Sequence, residues 1–141
     1  MFSEYRLRRR VQFYETDVAG IVHFSWFYRY MEEAEHAMWR EAGLSIAVRG
    51  AEVGWPRVAA SFEFHRPLRF EDEFDVLIRV VAIAEKTIRY VCLITKDATK
   101  IASGTMTVAC VSKRQETMRS IAIPPEITAR FQVEPEEAER P

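Results

Sequence analysis

Only two cysteines occur, Cys92 and Cys110, both inside strand-like segments and without the spacing of metal ligands. This argues against a disulfide or a cysteine ligand pair, and two buried thiols in a reducing compartment are expected. No apolar run approaches the roughly 20 residues that cross a bilayer, and the arginines at positions 6 and 8–10 are not followed by the apolar core of a secretory signal. A cytoplasmic protein with no membrane partner is the expectation. Net charge is nearly absent, formally −1 at pH 7, which argues against a nucleic-acid partner held by bulk positive charge. Nothing repeats, and no linker divides the 141 residues, a length that one core serves. A single domain over 1–133 is expected, followed by an acidic, proline-bearing tail over 134–141 whose composition predicts disorder.

What is present begins with one dominant amphipathic segment. Phe27, Tyr30, Met31, Ala34, Ala37 and Met38 recur at spacings of three and four, which puts them on one face of a helix. Arg29, Glu32, Glu33, Glu35 and Arg40 occupy the other face. Ser25 is placed to cap the helix and Gly43 to stop it, so the predicted helix spans 26–42. Glu32 and His36 share a face at i and i+4, but a solvated ion-pair face is expected there rather than a metal site.

The rest of the chain changes period. Tyr5–Tyr14 reads as a first strand. Leu44–Gly54 reads as a connection with room for a short helical turn. Val58, Ala60, Phe62 and Phe64 then alternate with polar residues up to Pro67, and Phe74, Val76, Ile78 and Val80 alternate in a second run. Ile88, Tyr90, Cys92 and Ile94 mark a third, Lys96–Lys100 a hairpin turn, and Ile101–Ser112 a long fourth. Met118–Ile123 adds a short strand, and Glu126–Phe131 a terminal helix after Pro124 and Pro125. One long helix followed by consecutive strands specifies an α+β layer fold with the helix lying across an antiparallel sheet. Leu77, Val81, Ile83, Val91 and Leu93 put apolar residues on the second face of that sheet, more than one helix covers. A homo-oligomer would bury the surplus.

Between the first strand and the helix lies Glu15-Thr16-Asp17-Val18-Ala19-Gly20-Ile21-Val22-His23-Phe24. A carboxylate beside the free N–H groups and positive end of a helix is a catalytic arrangement, although Asp is also common as a turn residue or cap. Glu15 is expected to be solvated or hydrogen-bonded in the turn. His23 is placed either to bond a substrate carbonyl or tune Asp17, or to shape the helix entry.

This stretch, the helix, Gly43-Leu44, Arg66-Pro67-Leu68 through Asp72, and Met118-Arg119-Ser120-Ile121-Ala122-Ile123-Pro124 together resemble the hotdog-fold acyl-CoA thioesterases of the 4-hydroxybenzoyl-CoA thioesterase type. The resemblance implies a hotdog fold, a long central helix wrapped by a curved antiparallel sheet of five or six strands. It implies dimers joined edge to edge, often paired into tetramers, with active sites at the subunit interface. It places the catalytic carboxylate on Asp17 and the oxyanion donor on the backbone N–H of Phe24, with His23 as a further candidate. Gly20 would let the backbone approach substrate closely. Trp26 and Trp55 stand where relatives carry small polar residues, which leaves two readings for each, a pocket wall or plain packing. Lys86, Arg89 and Arg119, with Lys113 and Arg114 nearby, are the candidate partners of the coenzyme A phosphates. Coenzyme A is part of the substrate, and no separate cofactor is implied. Asp17 could act as general base or as nucleophile, Glu32 and Glu33 being weaker alternatives. The competing reading is a non-catalytic hotdog module that binds acyl-CoA or an acyl-carrier protein.

Overall fold

The computed structural model describes residues 2–114 and 118–134. Seven of the eight residues of the expected disordered tail, 135–141, lie outside them. The elements run β1 (Glu4–Arg10), a 3-10 turn (Phe13–Glu15), α1 (Ser25–Glu41), β2 (Val53–Gly54), β3 (Arg57–Phe64), β4 (Glu73–Ile83), β5 (Thr87–Lys96), β6 (Thr99–Ala109), β7 (Val111–Ser112), β8 (Arg119–Ser120) and α2 (Pro125–Thr128).

Five strands form one antiparallel sheet in the order β1-β4-β5-β6-β3. Helix α1 touches β1, β4 and β3, so it reaches both edges of the sheet. Strands spaced about 4.8 Å apart separate those edges by roughly 19 Å, and a helix about 10 Å wide meets both only if the sheet curls around it. The helix-side face carries Phe74, Val76, Ile78 and Val80 of β4 and Ile88, Tyr90, Cys92 and Ile94 of β5, all buried against Tyr30, Met31, Ala34 and Met38. The expected helix, hotdog architecture and strand alternation are all present. Both cysteines are buried and unpaired, and burial holds both thiols above their ordinary pKa. No helix of the described residues is long and apolar enough to cross a membrane.

Several boundaries differ from expectation for local reasons. β1 ends at Arg10 because Gln12–Glu15 closes a 3-10 turn, with the Glu15 N–H on the Gln12 carbonyl at 3.0 Å. The long fourth strand breaks at Cys110, whose N–H turns aside to the Lys86 carbonyl. Its remainder, β7, joins β2 and β8 in a separate small sheet. No helical turn forms in Leu44–Gly54, where β2 occurs instead, and α2 is shorter than predicted. The stop at Gly43 is as expected: at φ 80° it lets the Leu44 N–H reach the Trp39 carbonyl and its own N–H reach that of Arg40.

The charged face of α1 is not simply solvated. Glu35 is fully buried, and the Arg57 guanidinium at the start of β3 donates to it at 2.5 Å and to Glu32 at 3.1 Å. Burial raises the Glu35 pKa, and Arg57 and Tyr90 pull it back only in part. Desolvation likewise lowers the His36 pKa, against the pull of Glu32. The second sheet face also departs from expectation. Leu77, Val91 and Leu93 are half-buried rather than bare and Val81 is buried, and the register sets Arg6 beside Leu77 and Arg79 beside Val91. Edge strand β3 also carries uncovered apolar surface, Val58 being 59% and Phe64 49% exposed.

The turn between β3 and β4 supports the β1–α1 loop. Ile21 bridges to Arg69, and the Val22 N–H bonds to the Leu68 carbonyl. Asp72 closes this turn, accepting the Arg69 N–H and the Lys96 ammonium, each at 2.8 Å. Partial burial works against the Asp72 charge, but Lys96 and the Arg69 N–H outweigh it and hold the carboxyl below the ordinary carboxylate range. A depressed folded pKa stabilises above the unfolded value of about 4 and is lost as pH falls through the folded one. Asp72→Asn should therefore cost about 1 kcal/mol at pH 7. Thermal melts should show the gap from wild type closing as the pH falls below the unfolded value of about 4 and through the lower folded one.

Candidate active site

Asp17 opens a tight hairpin. Its carbonyl accepts the Gly20 N–H at 2.9 Å, its N–H donates to Ile21 at 2.9 Å, and one carboxylate oxygen accepts the Ala19 N–H at 2.8 Å. Gly20, at φ 77°, takes the left-handed conformation that lets the chain return after three residues. Gly20 is thus placed as a turn-former. Only one of the Asp17 oxygens is engaged in the turn, and the side chain is half-exposed toward a pocket of about 430 Å³.

That pocket is lined by Asp17, Ile21, Val22, Phe24, Phe27, Phe64, His65, Arg66 and Pro67. It therefore joins the acidic turn, the start of α1 and the end of β3. Its aromatic wall is stacked from behind: Phe27 meets Phe64 edge-on at 5.1 Å and Phe62 at 6.0 Å. Phe62 reaches Phe27 by lying over Gly104, where an added Cβ would sit 2.8 Å from the ring and 2.7 Å from the Ser61 carbonyl oxygen. Among the described residues no acceptor takes the Phe24 N–H, although the neighbouring amides of His23, Ser25 and Trp26 are all bonded. Asp17, and Phe24 with an unspent backbone donor at a helix N-terminus, line one apolar cavity, a pairing of groups suited to attack on a polarised carbonyl.

Ser25 does not cap α1. It is the first helical residue, the cap position is Phe24 with no side-chain cap bond, and the His23 Nδ1 lies 2.8 Å from the Ser25 hydroxyl and accepts the Ser25 N–H at 3.3 Å. The imidazole thus faces the helix entry and does not line the Asp17 pocket. Trp26 packs against Tyr14 and Tyr30, and Trp55 packs edge-on against Trp39 at 5.1 Å. Within one chain neither reaches the cavity.

Lys86, Arg89 and Arg119 also lie away from Asp17. Arg89 pairs across β6 with Thr107, the Lys86 carbonyl takes the Cys110 N–H, and Arg119 pairs with Ser112 on the small sheet. All three sit at the Arg57 end of the sheet, whereas Asp17 sits at the Phe64 end, about 20 Å away along the strands. Lys113 and Arg114 share the Arg57 end, with Arg114 paired to Glu52 at 2.7 Å. His65 and Arg66 were missed as lining residues. The one available signal was the break in alternation at Pro67, where four consecutive residues, Phe64 to Pro67, line the same opening.

Glu15, two residues before Asp17, is hydrogen-bonded as expected but fully buried rather than solvated. One oxygen accepts the Gln12 N–H and the Tyr30 hydroxyl, both at 2.9 Å. The other faces the Arg9 guanidinium at 2.5 Å as an ion pair, off the line of an N–H bond. Burial works against the Arg9 charge, but its ion pairs with Glu15 and Glu33 hold its pKa above the ordinary value. Tyr30 is also held well above its usual pKa, by burial and by donating to Glu15.

Residues 11–131 match the family model of the thioesterase-like superfamily. A candidate esterase of Aquifex aeolicus (strain VF5) is 32% identical over 121 residues, 85% of this chain and 91% of the relative. Among solved structures, a gentisyl-coenzyme A thioesterase superposes with a TM-score of 0.79 at 27% identity, covering 87% of this chain and 98% of that one. A 1,4-dihydroxy-2-naphthoyl-CoA thioesterase from Synechocystis superposes with a TM-score of 0.84, covering 90% and 94%, and at 21% identity it speaks for the fold alone.

Proposed function

The chain belongs to the thioesterase-like superfamily, and we propose that it is a thioester hydrolase that cleaves an acyl- or aroyl-CoA in the pocket between Asp17 and Phe24. The observation that carries this reading is that half-exposed Asp17 and Phe24, whose N–H has no acceptor among the described residues, line the same apolar cavity. A thioester carbonyl is electrophilic and a thiolate leaves readily, so a base or nucleophile and one oxyanion donor suffice. No resident cofactor enters the reaction.

Two routes use the same atoms. As a base, Asp17 takes a proton from water while the water oxygen bonds to the carbonyl carbon. The resulting oxyanion is held by the Phe24 N–H, then collapses, breaking the C–S bond, and the departing thiolate is protonated. As a nucleophile, an Asp17 oxygen bonds to the carbonyl carbon, the thiolate leaves, and water opens the mixed anhydride to free acid and restored carboxylate. The walls of Phe24, Phe27 and Phe64 suit a hydrophobic acyl or aroyl group. Similarity to a gentisyl-coenzyme A thioesterase supports including aroyl thioesters among the substrates tried. Thiol release from a panel of short-chain, long-chain and aromatic acyl-CoAs tests the function: turnover of at least one is expected, and none across the panel contradicts it.

The active unit in this reading is a dimer made through β3. This strand is an edge of the sheet, and its helix-side face is uncovered at Val58 and Phe64. An antiparallel pairing with the same strand of a second copy would extend the sheet and cover that face. Two-fold symmetry would bring the Arg57 end of the partner beside the Phe64 end of this chain. Trp55, Lys86, Arg89 and Arg119 would then approach the pocket from the other subunit, as candidates for the acyl wall and the coenzyme A phosphates. Ala60→Asp places a charge on this exposed edge. By light scattering it should shift the protein to a monomer, with turnover down by about tenfold or more. A monomeric wild type with full activity would remove the interface from the site.

A further inference from the structure

Both groups assigned to the reaction sit on the 11–24 loop, whose side chains are largely exposed. Its one fully buried polar side chain is Glu15. The carboxylate of Glu15 ties the loop to α1 through Tyr30 and to β1 through Arg9, and it holds the loop entry through the Gln12 N–H. The backbone of the same residue works on the other limb, since its carbonyl accepts the His23 N–H at 2.9 Å. His23 immediately precedes Phe24, and Asp17 follows Glu15 by two residues. The guanidinium of Arg9 is itself fixed, bonded to Glu33 at 2.9 Å and lying 4.7 Å from the centre of the Tyr30 ring.

We propose that Glu15 is a positioning residue: braced by Arg9 and Tyr30, it sets the Asp17 carboxylate and the Phe24 N–H at a fixed separation across the pocket. The inference rests on the thioesterase reading above. Chemistry requires a carboxylate at this point. Two donors, the Gln12 N–H and the Tyr30 hydroxyl, converge on one oxygen while a guanidinium faces the other, so both oxygens must be acceptors. A glutamine keeps the shape but turns an NH2 group either toward the guanidinium or toward the two donors. Either way a buried donor faces a donor, and the turn must move to relieve it. Displacement of about 1 Å at reacting groups costs on the order of a hundredfold in rate.

The molecule contains a matched control. Among the described residues Glu35 is the other fully buried carboxylate, also paired with an arginine, Arg57, and also under the electrostatic influence of a tyrosine, Tyr90, but none of its bonds there reaches the 11–24 loop. Removing either charge should destabilise the fold comparably, and only one should misplace the site.

The test is steady-state thiol release by Glu15→Gln, Glu35→Gln and wild type on a thioester that wild type cleaves, below the melting temperature of every variant. Glu15→Gln should lower kcat by about 30- to 100-fold with KM within about threefold, while Glu35→Gln stays within about threefold on both. In an Asp17→Asn background, Glu15→Gln should add little further loss, since it acts through Asp17 and its neighbour. A Glu15→Gln kcat within twofold of wild type, or a loss that multiplies fully with that of Asp17→Asn, would overturn the proposal. Should Glu15→Gln not fold, Tyr30→Phe removes one of the two donors to the same oxygen. It should lower kcat by about three- to tenfold, and an unchanged kcat overturns the proposal equally. If wild type cleaves no thioester, the function above fails; if wild type is active and Asp17→Asn impaired while Glu15→Gln is not, only the positioning role fails.

Discussion

Phe24→Pro should lower kcat by about 10²- to 10³-fold, equivalent to roughly 3–4 kcal/mol of lost transition-state stabilisation. Phe24 already has φ −54° at the helix cap, within the range a proline ring enforces, and its N–H gives up no bond inside the chain. The substitution therefore deletes a donor that the fold does not use. If that N–H holds the oxyanion, its loss falls on kcat rather than on KM, because the ground-state carbonyl is bound more weakly than the charged intermediate. Phe24→Ala separates the amide from the ring: it keeps the N–H and removes one pocket wall, so KM should rise and kcat should change far less. Steady-state kinetics on both variants, with melting curves to confirm folding, check the pair.

The same comparison bears on why the pocket is open at all. Phe24 is 59% exposed and Phe64 49%, which is costly for a finished apolar site. Both residues stand beside the free edge of β3, so the surface that a bound acyl group leaves uncovered is the surface a second copy would cover. Catalysis and association are coupled at that edge in this reading, and the expected loss of turnover in Ala60→Asp is the kinetic face of it.

The fold was legible wherever hydrophobic period alone decided it. The stripe from Phe27 to Met38 gave the helix, and the alternation of β3, β4 and β5 gave the sheet, because both faces of those elements differ sharply in polarity. The stop at Gly43 was legible because a left-handed residue is needed there. The cap was not, since α1 begins at Ser25 itself and the cap position, Phe24, makes no side-chain bond that a residue type could signal. Glu15 and Glu35 could not be read as buried, because carboxylates enter a core only when long-range partners meet them, and Arg9 and Arg57 come from other strands. Of the site, the Asp17–Phe24 turn was visible as a motif, whereas His65 and Arg66 reach the pocket only through the pairing of β3 with β6. The cationic residues were placed by resemblance, and the chain keeps them at the far end of the sheet, where a single sequence gives no distance.

Asp17→Asn carries the largest expected effect, because every step of either route begins at that carboxylate. The asparagine keeps the side-chain oxygen that accepts the Ala19 N–H, so the turn should survive, but it neither takes a proton from water nor attacks the carbonyl as an anion. The most direct measurement is thiol release from the acyl-CoA panel by wild type and Asp17→Asn side by side, with calorimetric titration of the variant by the thioester that wild type cleaves fastest. The predicted result is a kcat lower by about 10³-fold or more, with the uncleaved thioester still bound at an affinity within about threefold of wild-type KM. Cleavage by Asp17→Asn at the wild-type rate would contradict the account and move the chemistry away from this turn.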